Sequence, residues 1–328
     1  MAIKIKKRKI LVIKNRAIGD TILMTGPLRV LRKHFPDHEI HVLVRAPAGQ
    51  LLEGLPYVDR IFSSVEPKGK IDRLAYWMRL VSKLRDFRYD YSINFHASFR
   101  SSLMARFLRA GSCIANHHEL NGRNWFSDFD VPGRGEVKSI IDRDLDALRA
   151  FGIQASVTDA MPEIILSPAE KREAAQSFSD AAVGTGPRIF LGIGGSRSTK
   201  RWPATYFAEL AKKLIHESNA HIVLATIDID RPFLNELLPL LNAEKENIFH
   251  VHGKTLRETA KVISQCQVYV GNDSGLKHLA VALGLKTYTF FGPEAPLEWH
   301  PYALDRHPYA FSENLLCRTE SGKHWCSI

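Results

Sequence analysis

Three small polar residues between two glycines, Gly271-Asn272-Asp273-Ser274-Gly275, end the apolar run "VYV" and open a stretch where Leu276, Leu279, Ala280 and Leu283 recur at helical spacing. This is a strand-to-helix turn with little side-chain bulk, and the first amides of a helix are unpaired donors that favour an anion. Asn272, Asp273 or Ser274 can each cap the helix, but capping alone does not call for two flanking glycines. Gly275 keeps a Cβ away from the amides where a phosphate would approach. The loop has neither the Gly-Lys-Ser/Thr order of a Walker A motif nor the three glycines of a dinucleotide fingerprint. The chemistry it suits is the binding of a diphosphate or a sugar phosphate.

A second anion-friendly segment, "GIGGSRSTKRWP", continues from the strand-like run "RIFL". Ser196, Ser198 and Thr199 bring hydroxyls there, and Lys200 and Arg201 bring adjacent cations suited to phosphate oxygens. Far upstream, "KNRAIGD" sets Asp20 at another strand-to-helix turn, as an N-cap or as a general base for an attacking hydroxyl. A third crossing of this kind, "NFHASFRSS" at 94–102, carries His96 and Arg100. These two suit an anionic acceptor, and a capping or packed histidine is the competing account of His96.

Such loops need strands and helices to aim them. "KILVIK" reads as a buried parallel strand, "NRAIGD" as a loop, "TILMTGPLRVLRKHF" as a helix and "EIHVLV" as the next strand. Pro27 lies inside the helical pattern, so a kink or restart is expected at Gly26. "YDYSINF" and "SSLMARFLRA" give a further strand and helix. The pattern breaks between 155 and 187, where Ser167-Pro168 opens a helix as N-cap and first residue. Alternation then resumes through "RIFLGIG", "ATYFAELAKKLIHES", "HIVLATI", "RPFLNELLPLLN", "NIFHVHG", "VYVG" and "KTYTFFG". The expectation is two doubly wound α/β lobes, residues 1–165 and 166–328, facing a cleft with ligand loops at the carboxyl ends of strands.

Composition narrows the function classes. At 328 residues the chain is long enough for two cores, and no apolar run reaches the roughly 18 residues of a membrane span. The apolar stretch Ile10 to Ile13 near the basic N-terminus is shorter than the roughly seven residues of a signal-peptide core, which points to the cytoplasm. Cys113 and Cys266 read as unreactive thiols; Cys317 and Cys326, with His324 between them, are one ligand short of a usual zinc site, so no metal is expected. The net charge of +10 is uneven: residues 1–165 hold 27 Lys and Arg against 18 Asp and Glu, and residues 166–328 hold 18 against 17. The first lobe is therefore the one suited to a polyanion or an anionic surface, unless its charge is only a solvated basic face.

Together, "ILVIKNRAIGDTILMTGPLRVLRKHFP", "TKRWPATYFAELA" and "GNDSGLKHLAVALGLKTYTFFGPEAP" resemble the bacterial ADP-heptose:lipopolysaccharide heptosyltransferases of glycosyltransferase family 9, from about residue 9 to 300. The resemblance implies the GT-B fold, with the acceptor on the N-terminal lobe, the nucleotide-sugar on the C-terminal one, and inverting transfer without a required metal. It makes Asp20 the catalytic base and Lys200, with Ser196 and Thr199 beside it, the contact to the donor phosphates. Asp273, Ser274, Gly275 and His278 match the donor-binding turn and its helix; Asp228 and Asp230 are the two candidates for holding the ribose. His96 and Arg100 match a segment lining the acceptor side. The chain departs from the pattern at Ile93-Asn94-Phe95-His96-Ala97 and at Ser139 in "SIIDR", which bears on the acceptor more than on the chemistry. Its end at Ile328 suggests a shortened C-terminal helix.

The expectation is thus a cytoplasmic, monomeric glycosyltransferase without cofactor, moving heptose from ADP-heptose to an anionic glycolipid and touching the inner membrane peripherally. A nucleotide-sugar epimerase of the same fold would need a second carboxylate in the motif loops. A nucleic-acid-binding protein would interleave cations with aromatics on one face, as "RLAYWMRLVSKLRDFRYDY" (73–91) does in composition. There Leu74, Trp77, Met78, Val81 and Leu84 fall at helical spacing, which a core-facing stripe, or a helix lying on anionic lipid, explains better.

Overall fold

The run Lys9–Lys14 is buried along almost its whole length, as a strand at the centre of a parallel sheet must be. The computed structural model describes residues 7–96, 98–116, 125–133 and 135–313; Cys317, His324, Cys326 and the end at Ile328 lie outside them. Two compact units, residues 1–162 and 163–328, each carry one sheet.

In the first unit, β1 (Lys9–Lys14), β2 (Glu39–Arg45), β3 (Arg60–Ser64), β4 (Tyr91–Asn94) and β5 (Ser112–Ala115) pair in the order β3-β2-β1-β4-β5, all parallel. The helices are α1 (Ile18–Leu23), α2 (Thr25–His34), α3 (Lys70–Arg85), α4 (Phe99–Phe107) and α5 (Ile140–Arg149). Side chains of α3 and α4, among them Leu84, Met104 and Ala105, pack on Leu11, Ile13 and Leu43 of the sheet. On α5, Ser139 is the N-cap and accepts from the Asp142 amide at 3.2 Å.

Two local expectations need correction. The segment "NRAIGD" is not all loop: α1 begins at Ile18, so Asp20 lies within a first helical turn. The restart expected at Gly26 falls at Met24 instead. Proline is tolerated where its missing N–H is not needed, in the first turn of a new helix, so the break sits upstream of Pro27. Gly26 has a different task. A Cβ there would lie 1.8 Å from the carbonyl oxygen of Ala160, so glycine permits the backbone of α2 to touch the segment that closes the unit.

In the second unit, β6 (Arg188–Gly192), β7 (His221–Thr226), β8 (Ile248–His252), β9 (Val268–Asn272), β10 (Lys286–Phe290) and β11 (Tyr309–Ala310) pair in the order β11-β10-β9-β6-β7-β8. Their helices are α6 (Pro168–Asp180), α7 (Ala204–Ser218), α8 (Arg231–Leu240), α9 (Leu256–Ile263), α10 (Gly275–Ala282) and α11 (Pro296–Trp299). Ser167 caps α6 in a reciprocal box with Glu170, and Arg257 of α9 binds both oxygens of that glutamate at 2.7 and 3.0 Å. Gly271 is in register with Gly192 on β6, and a Cβ on Gly271 would lie 2.4 Å from the Gly192 carbonyl oxygen. The first glycine of the Gly-Asn-Asp-Ser-Gly turn therefore answers to strand packing.

In each sheet the chain begins centrally, runs outward on one side and then returns to the other. The switch lies between β1 and β4 in the first unit and between β6 and β9 in the second. Such switch points leave a crevice at the carboxyl ends of the strands, where ligands of open α/β sheets bind.

Two stability outcomes follow. Gly26→Ala should destabilise the first unit by about 1–3 kcal/mol, the range for forced overpacking, as read by denaturant titration. For Glu170, the Arg257 hydrogen bond leads the causes that hold the carboxyl down to about 2. Its unfolded value is about 4.3, so the stabilisation is complete above that value and is lost as pH falls toward the folded one. Glu170→Gln should cost about 1 kcal/mol at pH 7, and the gap from wild type should narrow between about pH 5 and 3; a gap independent of pH would rule out the charged pair as its source.

Candidate functional site

At the switch point of the first sheet, Lys14 ends β1 with its ammonium turned inward. Its Nζ lies 2.5 Å from Asp144 Oδ1 of α5 and donates to the Phe95 carbonyl at 3.3 Å. Lysine and aspartate are both essentially sealed from water. Full burial pushes the Asp144 carboxyl up, and the charge of Asp20 adds to this, against the pull of Lys14 and Arg16. Asp144 Oδ2 accepts no hydrogen bond among the described residues.

Asp20 sits beside this pair, 2 % exposed, in the first turn of α1, a placement that suits a negative charge. Arg16 Nε forms an ion pair with Asp20 Oδ1 at 3.4 Å, but that buried oxygen accepts no hydrogen bond among the described residues. His96 follows β4, with its amide bonded to Asn94 Oδ1 at 3.0 Å. Burial, with the nearby charges of Arg16, Lys14 and Arg100, pulls its imidazole down to about 3, so the ring is neutral at pH 7. Arg100 does not join the buried cluster: it is exposed on α4, pairs with Glu66 at 3.4 Å and lines a groove against α3.

At the switch point of the second sheet, Lys200 Nζ lies 3.1 Å from Asp273 Oδ2 and 3.5 Å from Glu294 Oε1. Lys277 Nζ, fully buried in α10, donates to Asp273 Oδ1 at 2.6 Å and to the Trp299 carbonyl at 2.8 Å, and lies over the Phe291 ring. Burial alone would raise the Asp273 carboxyl, but Lys277 and Lys200 overcome it and hold the group well below the usual range. Asp273 therefore spans two ammonium groups, and Glu294, also bonded to Arg197, closes the other side of Lys200. Asn272 ties the loops together, accepting from the Trp202 amide at 2.9 Å and donating to the Ile193 carbonyl at 2.9 Å. A Cβ on Gly292 would lie 2.5 Å from the Thr199 carbonyl oxygen, so the Phe-Gly-Pro segment lies directly against the loop bearing Lys200.

Ser274 is the N-cap of α10, yet its hydroxyl caps no amide, lying 3.4 Å from the Tyr269 hydroxyl, and Ser274 and Gly275 are both half-buried. Ser196 and Thr199 are exposed on the β6 loop. His278 points the other way, into a buried network where its Nδ1 meets the Tyr302 hydroxyl at 2.5 Å; burial and Lys277 hold it neutral. Of the two acidic candidates after β7, Asp230 is buried and faces the anion loop, 3.5 Å from Arg201 NH2. Asp228 is exposed and paired with Arg231 and His252.

Four residues in these clusters escaped the sequence reading: Lys14, Asp144, Lys277 and Glu294. Signals existed for three. Lys14 is a charge closing an otherwise apolar run, Asp144 falls on the same helical stripe as Ile140, Ile141 and Leu148, and Lys277 stands four residues after Asp273. Among the described residues no group of three metal-ligating side chains comes together.

The first unit thus offers a buried carboxylate with an oxygen that accepts no hydrogen bond among the described residues, the second a helix terminus flanked by lysines. A profile of "Glycosyltransferase family 9 (heptosyltransferase)" matches residues 77–321. Lipopolysaccharide heptosyltransferase 2 of Salmonella typhimurium is 28% identical over 299 residues, covering 88% of this chain and 84% of that protein. Among solved structures, the E. coli ADP-heptose lps heptosyltransferase II superposes with a TM-score of 0.77 at 26% identity, covering 92% of this chain and 90% of that one. The family 9 glycosyl transferase of Veillonella parvula gives 0.78 at 22% identity, over 94% and 86% of the chains. The two parallel α/β units are those of a GT-B glycosyltransferase, and the chain belongs to glycosyltransferase family 9, the heptosyltransferases.

Proposed function

We propose that this glycosyltransferase moves heptose from ADP-heptose onto a sugar hydroxyl of an anionic glycolipid, the lipopolysaccharide core, with inversion and without a metal ion. The observation that carries the reading is Asp20, a buried carboxylate at the carboxyl end of the first sheet, ion-paired with Arg16 but with an oxygen that accepts no hydrogen bond among the described residues. Its relatives support the donor and the acceptor class, being an ADP-heptose enzyme and a lipopolysaccharide heptosyltransferase by name. The basic excess of the first 165 residues suits a phosphate- and carboxylate-rich acceptor presented at the cytoplasmic face of the inner membrane.

In the step proposed, the acceptor hydroxyl gives its proton to Asp20 while its oxygen bonds the anomeric carbon. The bond from that carbon to the diphosphate breaks on the opposite face, and ADP leaves with the electron pair. Lys200 and the amides opening α10 at Ser274 and Gly275 neutralise the charge that gathers on the leaving group, where preorganised donors count most. Asp273 acts through Lys200, fixing its ammonium between two carboxylates, so its role is positioning. Asp230, beside Arg201, is the better placed of the two ribose candidates. His96 is neutral and can present a ring nitrogen to the acceptor without repelling the Asp20 proton.

Asp20→Asn should lower turnover by about 10²–10⁴-fold, the usual worth of a general base, while calorimetric ADP binding stays at the wild-type value. Unchanged turnover would remove Asp20 from the chemistry. Lys200→Ala should weaken ADP binding about tenfold or more, the scale of a charge-assisted phosphate contact. In the same titrations GDP and UDP should bind more weakly than ADP, and neither ADP affinity nor transfer should fall in EDTA. A strict requirement for magnesium would overturn the metal-free step.

A further inference from the structure

Helix α3 is sixteen residues long, yet only Leu84 along it is fully buried. On the side toward α4 it borders a groove of about 580 Å³, within the roughly 300–1,000 Å³ typical of small-ligand pockets. The floor is apolar: Leu74, Trp77 and Met78 from α3 face Phe107 from α4. Leu74 and Met78 are 62 % and 59 % exposed, too much for a closed core. The indole N–H of Trp77 is buried with no acceptor among the described residues. Four cations stand around this floor, Lys70, Arg73, Arg85 and Arg100, and among the described residues only Arg100 is held by a carboxylate, Glu66.

We propose that the groove between α3 and α4 takes an acyl chain of an anionic membrane phospholipid, its headgroup held by Lys70 and Arg73 at one end of α3, while Arg85, about 20 Å along the helix, meets a neighbouring headgroup. An apolar slot ringed by cations of one sign complements a molecule with a hydrocarbon tail and a negative head. Neither part suffices alone, since stable attachment to a membrane takes two signals, such as one chain and a basic patch. The same ring argues against a second copy of this chain. A two-fold contact sets one patch against itself, so the cations would meet cations. The stems of Arg73 and Lys70 can lie on the apolar floor while their heads stay at the headgroup level. The inference deepens the reading above and rests on it only for the presence of a membrane.

Sedimentation with vesicles of phosphatidylcholine containing phosphatidylglycerol tests it, with pure phosphatidylcholine vesicles as the comparison. The wild type should bind the anionic vesicles and leave the neutral ones. Leu74→Ser with Met78→Ser removes apolar surface without changing charge, and these exposed positions leave the fold intact, as unaltered ADP binding by the double variant would verify. That variant should bind anionic vesicles about tenfold or more weakly, the scale set by burying two such side chains. Equal binding by variant and wild type, or wild-type binding indifferent to headgroup charge, would overturn the proposal. A wild-type dimer that the double variant turns into a monomer would overturn it in favour of a second copy. Vesicle binding without ADP binding would sink the transferase reading and leave the groove standing; ADP binding without vesicle binding would do the reverse.

Discussion

A central parallel strand whose two neighbours are reached by crossovers running in opposite directions has its carboxyl end left uncovered by either helix layer. That topological constraint governs both units here, since β1 lies between β2 and β4, and β6 between β7 and β9. The chain can place charged side chains at these two ends because the backbone opens there, while the rest of each strand is buried against apolar neighbours. Lys14 and Asp20 follow from the first opening, Lys200 and Asp273 from the second. Glycines then let the loops close tightly: Gly192 against Gly271 between strands, Gly292 against the loop of Lys200.

The two openings handle charge differently. In the first, Lys14 and Asp144 form a sealed pair from segments 130 residues apart. Removing one member of such a pair leaves an uncompensated charge and costs about 3–5 kcal/mol, so the pair ties β1 to α5 beneath Asp20. Asp20 beside it is ion-paired with Arg16, yet its buried Oδ1 accepts no hydrogen bond among the described residues, which costs stability unless something else uses it. In the second opening, positive and negative groups alternate as Lys277, Asp273, Lys200 and Glu294, so no ammonium stands alone in a poorly solvating place. In the proposed function an arriving diphosphate would compete with Glu294 for Lys200, whereas Asp273 is anchored from behind by Lys277.

Much of this was legible in the sequence because the relevant residues are local. The Gly-Asn-Asp-Ser-Gly turn, the Lys200 loop and Asp20 each sit within a few residues of a strand end, and periodicity finds strand ends. The GT-B fold likewise followed from strand-helix alternation and from resemblance. What sequence left open depends on direction or on distance. His278 was legible as part of the motif, but a helix turns successive side chains by about 100°, and this one faces Tyr302. Asp228 and Asp230 are two apart in a tight turn, so one is exposed and the other faces Arg201. Asp144 pairs with Lys14 across most of a unit, and no local pattern reports such a partner. The stripe at Leu74, Trp77 and Met78 was read as core-facing or lipid-facing; Trp77 packs on the core cluster, while Leu74 and Met78 remain largely exposed.

The charge asymmetry between the two halves fits the same division. Cations meant for a tightly held anion inside a polar crevice are best balanced by carboxylates in advance, because an isolated buried ammonium is costly and tends to lose its proton. The second half, with its near-neutral balance, carries that arrangement at Lys200 and Lys277. Cations that meet a polyanion at an exposed surface need no such partners, since water already solvates them and their attraction acts at long range. In the proposal above Lys70, Arg73 and Arg85 would be of this second kind, and the first half carries the larger excess of cations, 27 against 18. Net charge alone would class the whole chain as a binder of polyanions. Its distribution instead matches the proposed division, in which the first lobe would attract an anionic acceptor and the second would hold the diphosphate of a nucleotide-sugar.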